Sequence, residues 1–535
     1  MLTGKNNAKT NVYRNTIQLI FVGALTGIFA GVVVTLYNIL VKQGEAISQD
    51  VYAYVRANPA FIPLLLLGLA LGAFFIGVAV NISSVIRGCG IPQAEGATHG
   101  IVSFKWWRDM TCMFAASLVS VFMGLSIGAE GPSVLIGSCA GDGVSSLLKR
   151  NQMIRRYQIT GGACAGLAVA SNAPLTGVVF AFEEAHKQFT PEVFICSLSS
   201  VVFAMLTCMS VYGLFGLHFT NAFKTYVFLE LPIDHYLYVV LAGIVCGVLG
   251  VAFYKLCFAM RRLFRKLTLK NPKYTYGARI AIAVFLGAMV ALAVPGVMGG
   301  GHGLIESLGT FGGAVPPTTE RAFGESLFWT LLIILCLKFL ITSMNVGASL
   351  PCGIFIPIIA IGACLGALLN RGFVLIGMEQ QYGDLLVMIC MAAFFTTIVK
   401  APITAIIMIF EFTGSFAHLL PVIIAVAIGY IIGEISKTKA IYEELLEQYE
   451  HETGIHERSV QEVYTATVEE GSLADDRAIR SILWPSGARV KEINRGEEVI
   501  LPEGETVIKA GDVITVVYKT DNPERVRDEL NHILT

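Results

Sequence analysis

Apolar residues run along most of this chain in stretches too long for a soluble fold, and polar positions collect in a few short clusters between them. Phe61 to Ile86 carries no charge, and neither does Phe339 to Asn370. A membrane-spanning helix needs about 20 apolar residues, so each stretch can hold one. The pattern predicts helices at 15–41, 61–83, 108–125, 132–148, 192–214, 236–265, 278–295 and 325–344, with more from the 357 region to about Ser436. A more polar connection covers 217–235. Beyond Lys437 the chain turns charged and water-soluble.

Five clusters of glycine, proline and polar residues interrupt the apolar runs: Arg87 to Pro92, Ser126 to Gly137, Ser171 to Pro174, Gly299 to Gly303 and Ser349 to Pro357. Non-helical backbone at membrane depth is tolerated only where protein buries it or a cavity is lined by it. In the second cluster Glu130 stands between glycines, and Pro132 suits the first turn of a helix. Glu130 is therefore expected at a helix N-terminus inside the membrane. Free N–H groups there bind anions. An acidic side chain can occupy such a site itself and leave when protonated. Ionisable groups in a membrane are costly and usually functional. His302, in the fourth cluster, reads as a loop residue.

The interruptions repeat. Pro132, Gly137, Cys139 and Gly141 match Pro357, Gly362, Cys364 and Gly366 at an offset of 225. Ala173, Pro174, Thr176, Phe182 and Glu183 match Ala401, Pro402, Thr404, Phe410 and Glu411 at an offset of 228. Broken apolar segments at matching places in two halves point to a transporter's binding site. The offsets fit parallel or inverted halves alike. Glu183 and Glu411 read as structural, bonding helix-end amides.

Composition agrees: 55% of the 535 residues are hydrophobic and 14% charged, against roughly 25% charged in soluble domains. All 12 cysteines lie between Cys89 and Cys390, singly, without metal-ligand or disulfide spacing. They read as packing residues, with Cys89 the exception. The basic Lys5, Lys9 and Arg14 favour a cytoplasmic N-terminus. The apolar run after them is too long for a signal peptide. Cation sites need carbonyls or acidic rings, whereas these breaks offer helix N-termini. No zinc-protease or nucleophile-elbow motif is present, so an enzyme is not expected.

Four separated motifs carry a specific resemblance. Gly88-Cys89-Gly90-Ile91-Pro92 is similar to GSGIP, Gly128-Ala129-Glu130-Gly131-Pro132 to GREGP, and Gly353-Ile354-Phe355-Ile356-Pro357 to GIFAP. Tyr442 falls at the place of an inner-gate tyrosine. The chain, over roughly 15–450, resembles the CLC family of chloride channels and proton-coupled chloride exchangers. The resemblance implies an all-α polytopic membrane protein with an inverted-repeat fold and broken helices. It also implies a homodimer with a pore in each subunit. On this reading Glu130 is the gating and proton-carrying glutamate, and Glu184 transfers protons on the inner side, where channels have an apolar residue. The anion is bound by Cys89, Gly131, the amides of Ile354, Phe355 and Ile356, and the Tyr442 hydroxyl. Cys89 replaces the usual Ser with a weaker donor, and Ala129 replaces Arg. Lys187, three residues past Glu184, is the competing structural partner.

The expected layout is a transport domain over 1–450, with halves at about 15–215 and 236–436, and a small cytoplasmic α+β domain over 455–535. The latter resembles RCK/TrkA C-terminal modules through strands at 460–467, 488–491, 498–502 and 509–518, a short helix at 474–482, a last helix at 523–534 and its Gly511-Asp512 end. It lacks a nucleotide-binding glycine fingerprint. The expected function is proton–chloride exchange in a plasma membrane, with both termini cytoplasmic. The alternatives are a passive chloride channel or an exchanger preferring fluoride or nitrate. Expected partners are chloride, protons, the lipid bilayer, a second copy and a small regulatory ligand at the tail, with no cofactor, metal or nucleic acid.

Overall fold

The computed structural model describes residues 2–217, 226–309, 327–414, 418–454, 460–496, 498–520 and 523–535. Part of the expected polar connection over 217–235 lies outside them. Eight helices among the described residues are long and apolar enough to cross a membrane. The first, α1 (Leu2–Ala57), runs well past the expected end at 41. Lys42 and Glu45 made that stretch look like an exit from the membrane. Both instead line a cavity, and Tyr52 beyond them is buried. On α2 (Ile62–Ile82) the exposed residues Leu64, Leu67, Leu71 and Phe74 recur at three- and four-residue spacing, so one apolar face points to lipid.

The breaks start new helices. The first introduces α3 (Ile91–Thr98), which α4 (Trp106–Phe122) follows, and the second introduces α5 (Glu130–Leu147), which begins at Glu130 itself. Next come α6 (Gln152–Ser171), the short α7 (Pro174–Phe180) with a π-helical turn at Ala181–Ala185, and α8 (Pro191–Leu214). The second half holds α9 (Tyr236–Lys266), α10 (Pro272–Ala293), α11 (His302–Leu308), α12 (Leu327–Gly347), α13 (Phe355–Leu375) and α14 (Gly383–Val399), then α15 (Pro402–Thr413), α16 (Leu419–Ile435) and α17 (Ile441–Thr453).

The repeated glycines perform the same task in each half. A Cβ on Gly137 would lie 2.1 Å from the Gly162 carbonyl oxygen, and one on Gly141 2.0 Å from that of Gln158. Their mates Gly362 and Gly366 would meet the Cα atoms of Met391 and Val387 at 2.8 and 2.5 Å. So α5 seats on α6, and α13 on α14, with backbones in contact, as small residues allow in membrane interiors.

Glu183 and Glu411 cap each other's half. Glu411, near the end of α15, accepts from the amides of Leu175 and Thr176 at the start of α7, at 2.6 and 2.8 Å, and from the Thr176 hydroxyl at 2.5 Å. Glu183, just past α7, accepts from the amides of Ile403 and Thr404 at the start of α15, at 2.8 and 2.5 Å. Each helix thus meets the other's beginning with its own end, so equivalent helices run antiparallel and the halves are inverted. Hydrogen bonds to a charged group contribute about 1.5–3 kcal/mol. Glu411→Ala should therefore lower the thermal midpoint in detergent by several degrees, and Glu411→Gln, which keeps one acceptor, by less. Equal midpoints for all three proteins would mean that the cap contributes nothing.

The tail is a four-stranded antiparallel sheet, β1 (Val460–Thr467), β2 (Arg489–Arg495), β3 (Glu498–Ile500) and β4 (Val513–Thr520), in the order β1-β4-β2-β3. The last helix, α18 (Pro523–Leu534), buries Leu530, Ile533 and Leu534. Asp512 of the Gly-Asp signature is structural. Arg495 grips both its oxygens at 2.8 Å and the Lys509 amide donates to it at 2.8 Å. Burial pushes the Asp512 carboxyl up, but this fork and amide outweigh it and hold the group below its ordinary value. The helix expected at 474–482 is absent. The amides of Asp476, Ile479 and Arg480 donate instead to the carbonyls of Ile508, Thr506 and Gly504, and only a 3-10 turn at Ile479–Ser481 remains.

The tail sits on the transport domain through ion pairs. Arg156 of α6, almost fully buried, binds Glu529 of α18 at 3.0 Å and donates to the Thr98 carbonyl at 2.7 Å. Arg525 donates to the Gly100 carbonyl at 2.8 Å, and Arg477 pairs with Glu192 at 2.6 Å. The expected limit at 450 falls inside α17, where Tyr449 and Glu450 are buried. That helix stops at Gly454, whose φ of +70° glycine adopts without strain.

Candidate functional site

Three breaks meet at one place. Gly128 and Gly353 exchange amide-to-carbonyl hydrogen bonds of 2.8 and 2.9 Å, and the Cys352 amide donates to the Gly88 carbonyl at 3.3 Å. Their contact is too close for side chains. A Cβ on Gly131 would lie 2.2 Å from the Cys89 carbonyl oxygen, and one on Gly353 2.7 Å from that of Gly128. The loop at Gly88 is held by Gln93, which accepts from the Gly90 amide at 3.1 Å and donates to the Arg87 carbonyl at 2.6 Å.

This convergence brings the starts of α5 and α13 together. The first amides of a helix have no partner within it, and Gly131, Ile354, Phe355 and Ile356 supply such amides here. Glu130 is fully buried. A Cβ on Gly128 would lie 2.7 Å from Glu130 Oε2 and 3.1 Å from Pro357 Cδ, so the carboxylate folds back toward the start of α13. Cys89 is buried in the adjoining break, and it and Cys352 line a small cavity of about 10 Å³. Tyr442 is buried at the start of α17, and its hydroxyl has no hydrogen bond among the described residues.

Two larger cavities flank the convergence. One of about 260 Å³ is lined by Glu130, Ala129, Ile356, Lys42, Glu45 and His302, among others. The other, of about 410 Å³, is lined by Glu184, Glu95, Tyr442, Lys187 and Glu443, among others. They lie toward opposite ends of α6. Near one end Arg156 donates to the Thr98 carbonyl, and the Thr98 hydroxyl donates to the carbonyl of Ala185, next to Glu184 of the second cavity; Ser171 at the other end lines the first cavity, and fifteen residues of helix separate the two by about 22 Å. Glu184 and Tyr442 share the second cavity. Glu184 is buried in the π-helical turn, with both oxygens unbonded among the described residues. Its expected competitor, Lys187, pairs with Glu443 at 2.6 Å instead.

The structure brings in two residues that the sequence reading did not place at the site. His302 is no loop residue. It begins α11, with Nε2 3.3 Å from Glu130 Oε1. Lys338, fully buried on α12, donates to the Ser126 hydroxyl at 3.2 Å and to the carbonyls of Val297 and Gly299 at 3.4 and 3.2 Å. The Gly300 amide reaches Glu45 at 3.3 Å. Together they pin the glycine loop before His302 against the break that holds Glu130. The available signal was a lysine at the edge of an apolar run, where a charge is rarely idle.

Comparison with known proteins agrees with this geometry. The chain is 28% identical over 440 residues to an H(+)/Cl(-) exchange transporter, ClcA, of Vibrio cholerae, covering 80% of this chain and 89% of the relative. A ClcA of Yersinia pestis is 28% identical over 405 residues, covering 74% and 79%. The fold matches that of a slow cyanobacterial Cl-/H+ antiporter with a TM-score of 0.71 at 23% identity, covering 82% of this chain and 99% of that one. It matches that of a CLC-type fluoride/proton antiporter with 0.60 at 20% identity, covering 78% and 96%. Residues 463–531 match the TrkA-C domain. Residues 72–434 match the family described as voltage gated chloride channel, and with its broken helices meeting around Glu130 the chain belongs to that family.

Proposed function

We propose that this protein exchanges chloride for protons across a membrane, through a path within one subunit gated by Glu130. The observation that carries the reading is a fully buried carboxylate at a helix start, folded toward a second helix start, between two cavities. An anion freed of water needs donors but no full opposite charge, or it would not leave. The amides of Gly131, Ile354, Phe355 and Ile356 meet that need. Cys89 adds a weak thiol donor and Tyr442 a hydroxyl from the second cavity. When ionised, Glu130 takes the anion's place. When protonated it yields, and the proton it carries is the one exchanged. Glu184 passes protons between the second cavity and Glu130. The names of the Vibrio and Yersinia relatives support the same pair of ions.

The second cavity faces the cytoplasm on this reading, because Arg150, Arg155 and Arg156 and the charged tail lie on its side. A second copy docks on the face made by α7 and α15. There the repeat-equivalent residues Leu175 and Ile403 are 60% and 56% exposed. The tail is a regulatory module outside the ion path.

The test is flux from proteoliposomes holding the full chain. An inward chloride gradient should drive protons outward against their own gradient, read with a trapped pH probe. Anion flux without proton movement would identify a passive channel of the same fold. Proton movement with fluoride or nitrate but not chloride would reassign the anion.

A further inference from the structure

We propose that His302 is the outer station of the proton path and carries protons between the first cavity and Glu130. This rests on the reading of Glu130 as the gate. Three observations bear on it. Neither carboxylate oxygen of Glu130 has solvent contact or a hydrogen bond among the described residues. The His302 side chain is 44% accessible on the cavity side, while that of Glu130 is 1% accessible. The imidazole Nε2 stands 3.3 Å from Glu130 Oε1. In this conformation Glu130 borders the first cavity with both carboxylate oxygens turned out of solvent contact, while His302 touches one of them and the open space. Imidazole is the side chain whose ordinary pKa lies near neutrality, so it takes up and releases a proton with little cost either way.

The step balances simply. His302 Nε2 accepts the proton of the Glu130 carboxyl, leaving a carboxylate and an imidazolium. The imidazolium then gives a proton to water in the first cavity and returns to the neutral ring. Uptake runs the same steps backward. The charges around the ring suit a transient imidazolium. Glu45 and Lys42 face it from α1, Glu306 from its own helix and Glu411 from α15, while Lys338 stands behind the glycine loop. Glu411 is engaged with the α7 amides, and Lys338 with Ser126 and two carbonyls. From α13 the cavity receives only Ile356 and Ile359. Ala129 leaves no fixed charge beside Glu130 on its own segment. The loop before His302 is pinned at Gly299 and Gly300, so the imidazole is held in reach.

The test uses the full chain in proteoliposomes and the variants His302→Gln and His302→Ala. A positioned acid–base group contributes about 10²–10⁴-fold, so chloride-driven proton flux should fall by about tenfold or more in His302→Gln, with its dependence on outside pH lost. His302→Gln and His302→Ala should elute from size exclusion in detergent at the position of the unsubstituted protein, which shows that the fold survives. Imidazole added outside should restore proton flux in His302→Ala, which a merely structural role would not do. Unchanged proton flux and pH profile in His302→Gln, or a defect in His302→Ala that imidazole leaves untouched, would overturn the relay alone. A wild-type protein that moves no protons uphill would instead overturn the gate reading, and the relay with it.

Discussion

Glu130→Gln is expected to abolish proton transport while anion flux continues and loses its dependence on pH. Gln matches Glu in size, so the starts of α5 and α13 stay where Gly128 and Gly353 hold them. What changes is charge. A carboxylate and an anion about 4 Å apart repel by about 4 kcal/mol at an effective dielectric constant of about 20. That is roughly a thousandfold in occupancy, enough to make the two exclude each other. Gln neither repels the anion nor carries a proton. Parallel chloride-electrode and pH-probe recordings decide the matter. A mutant that still moves protons against their gradient would remove Glu130 from the role of gate.

Glu184→Val should give the complementary result, with chloride still crossing and the uphill movement of protons gone. A carboxylate buried near membrane depth either finds a partner or titrates. The structure removes the partner that the sequence offered, because Lys187 is engaged by Glu443, and both Glu184 oxygens are unbonded among the described residues. Val keeps the bulk of the turn and leaves every anion-facing amide, Cys89 and Tyr442 in place. Glu95 shares the cavity with Glu184. If protons still move at the wild-type ratio to chloride, the transfer belongs elsewhere, and Glu95→Gln is the variant to examine next.

Much of this was legible because glycine and proline inside an apolar run have few physical excuses. The breaks at Gly88, Gly128 and Gly353, the helix start at Glu130 and the matched glycines of α5 and α13 all follow from that rule. The partner of a side chain was not legible. Glu183 and Glu411 read as helix-end acceptors, but nothing in the offset says that each serves the opposite half, so the residues alone fitted parallel and inverted halves alike and the inverted arrangement came only from the family resemblance. His302 and Glu130 are joined only by the tertiary course of a glycine loop. In the tail, local propensity at 474–482 lost to the carbonyls of 504–508, a competition between distant segments that no window of sequence contains.

The crossed caps have the symmetry of a contact between two molecules. Glu183 serves the start of α15, and Glu411 serves the start of α7. Between two separate molecules such a contact would be called isologous, since each side gives what it receives. One half, taken alone, holds both the acceptor and the helix start that fits it. Two copies of a single half could have met in opposite orientations across a bilayer before any peptide joined them. A covalent link between two such copies would fix as one chain a self-complementary pair and free each copy to specialise. One copy kept Glu130 at the head of its broken helix. The other carries Phe355 at the corresponding position and offers only its backbone.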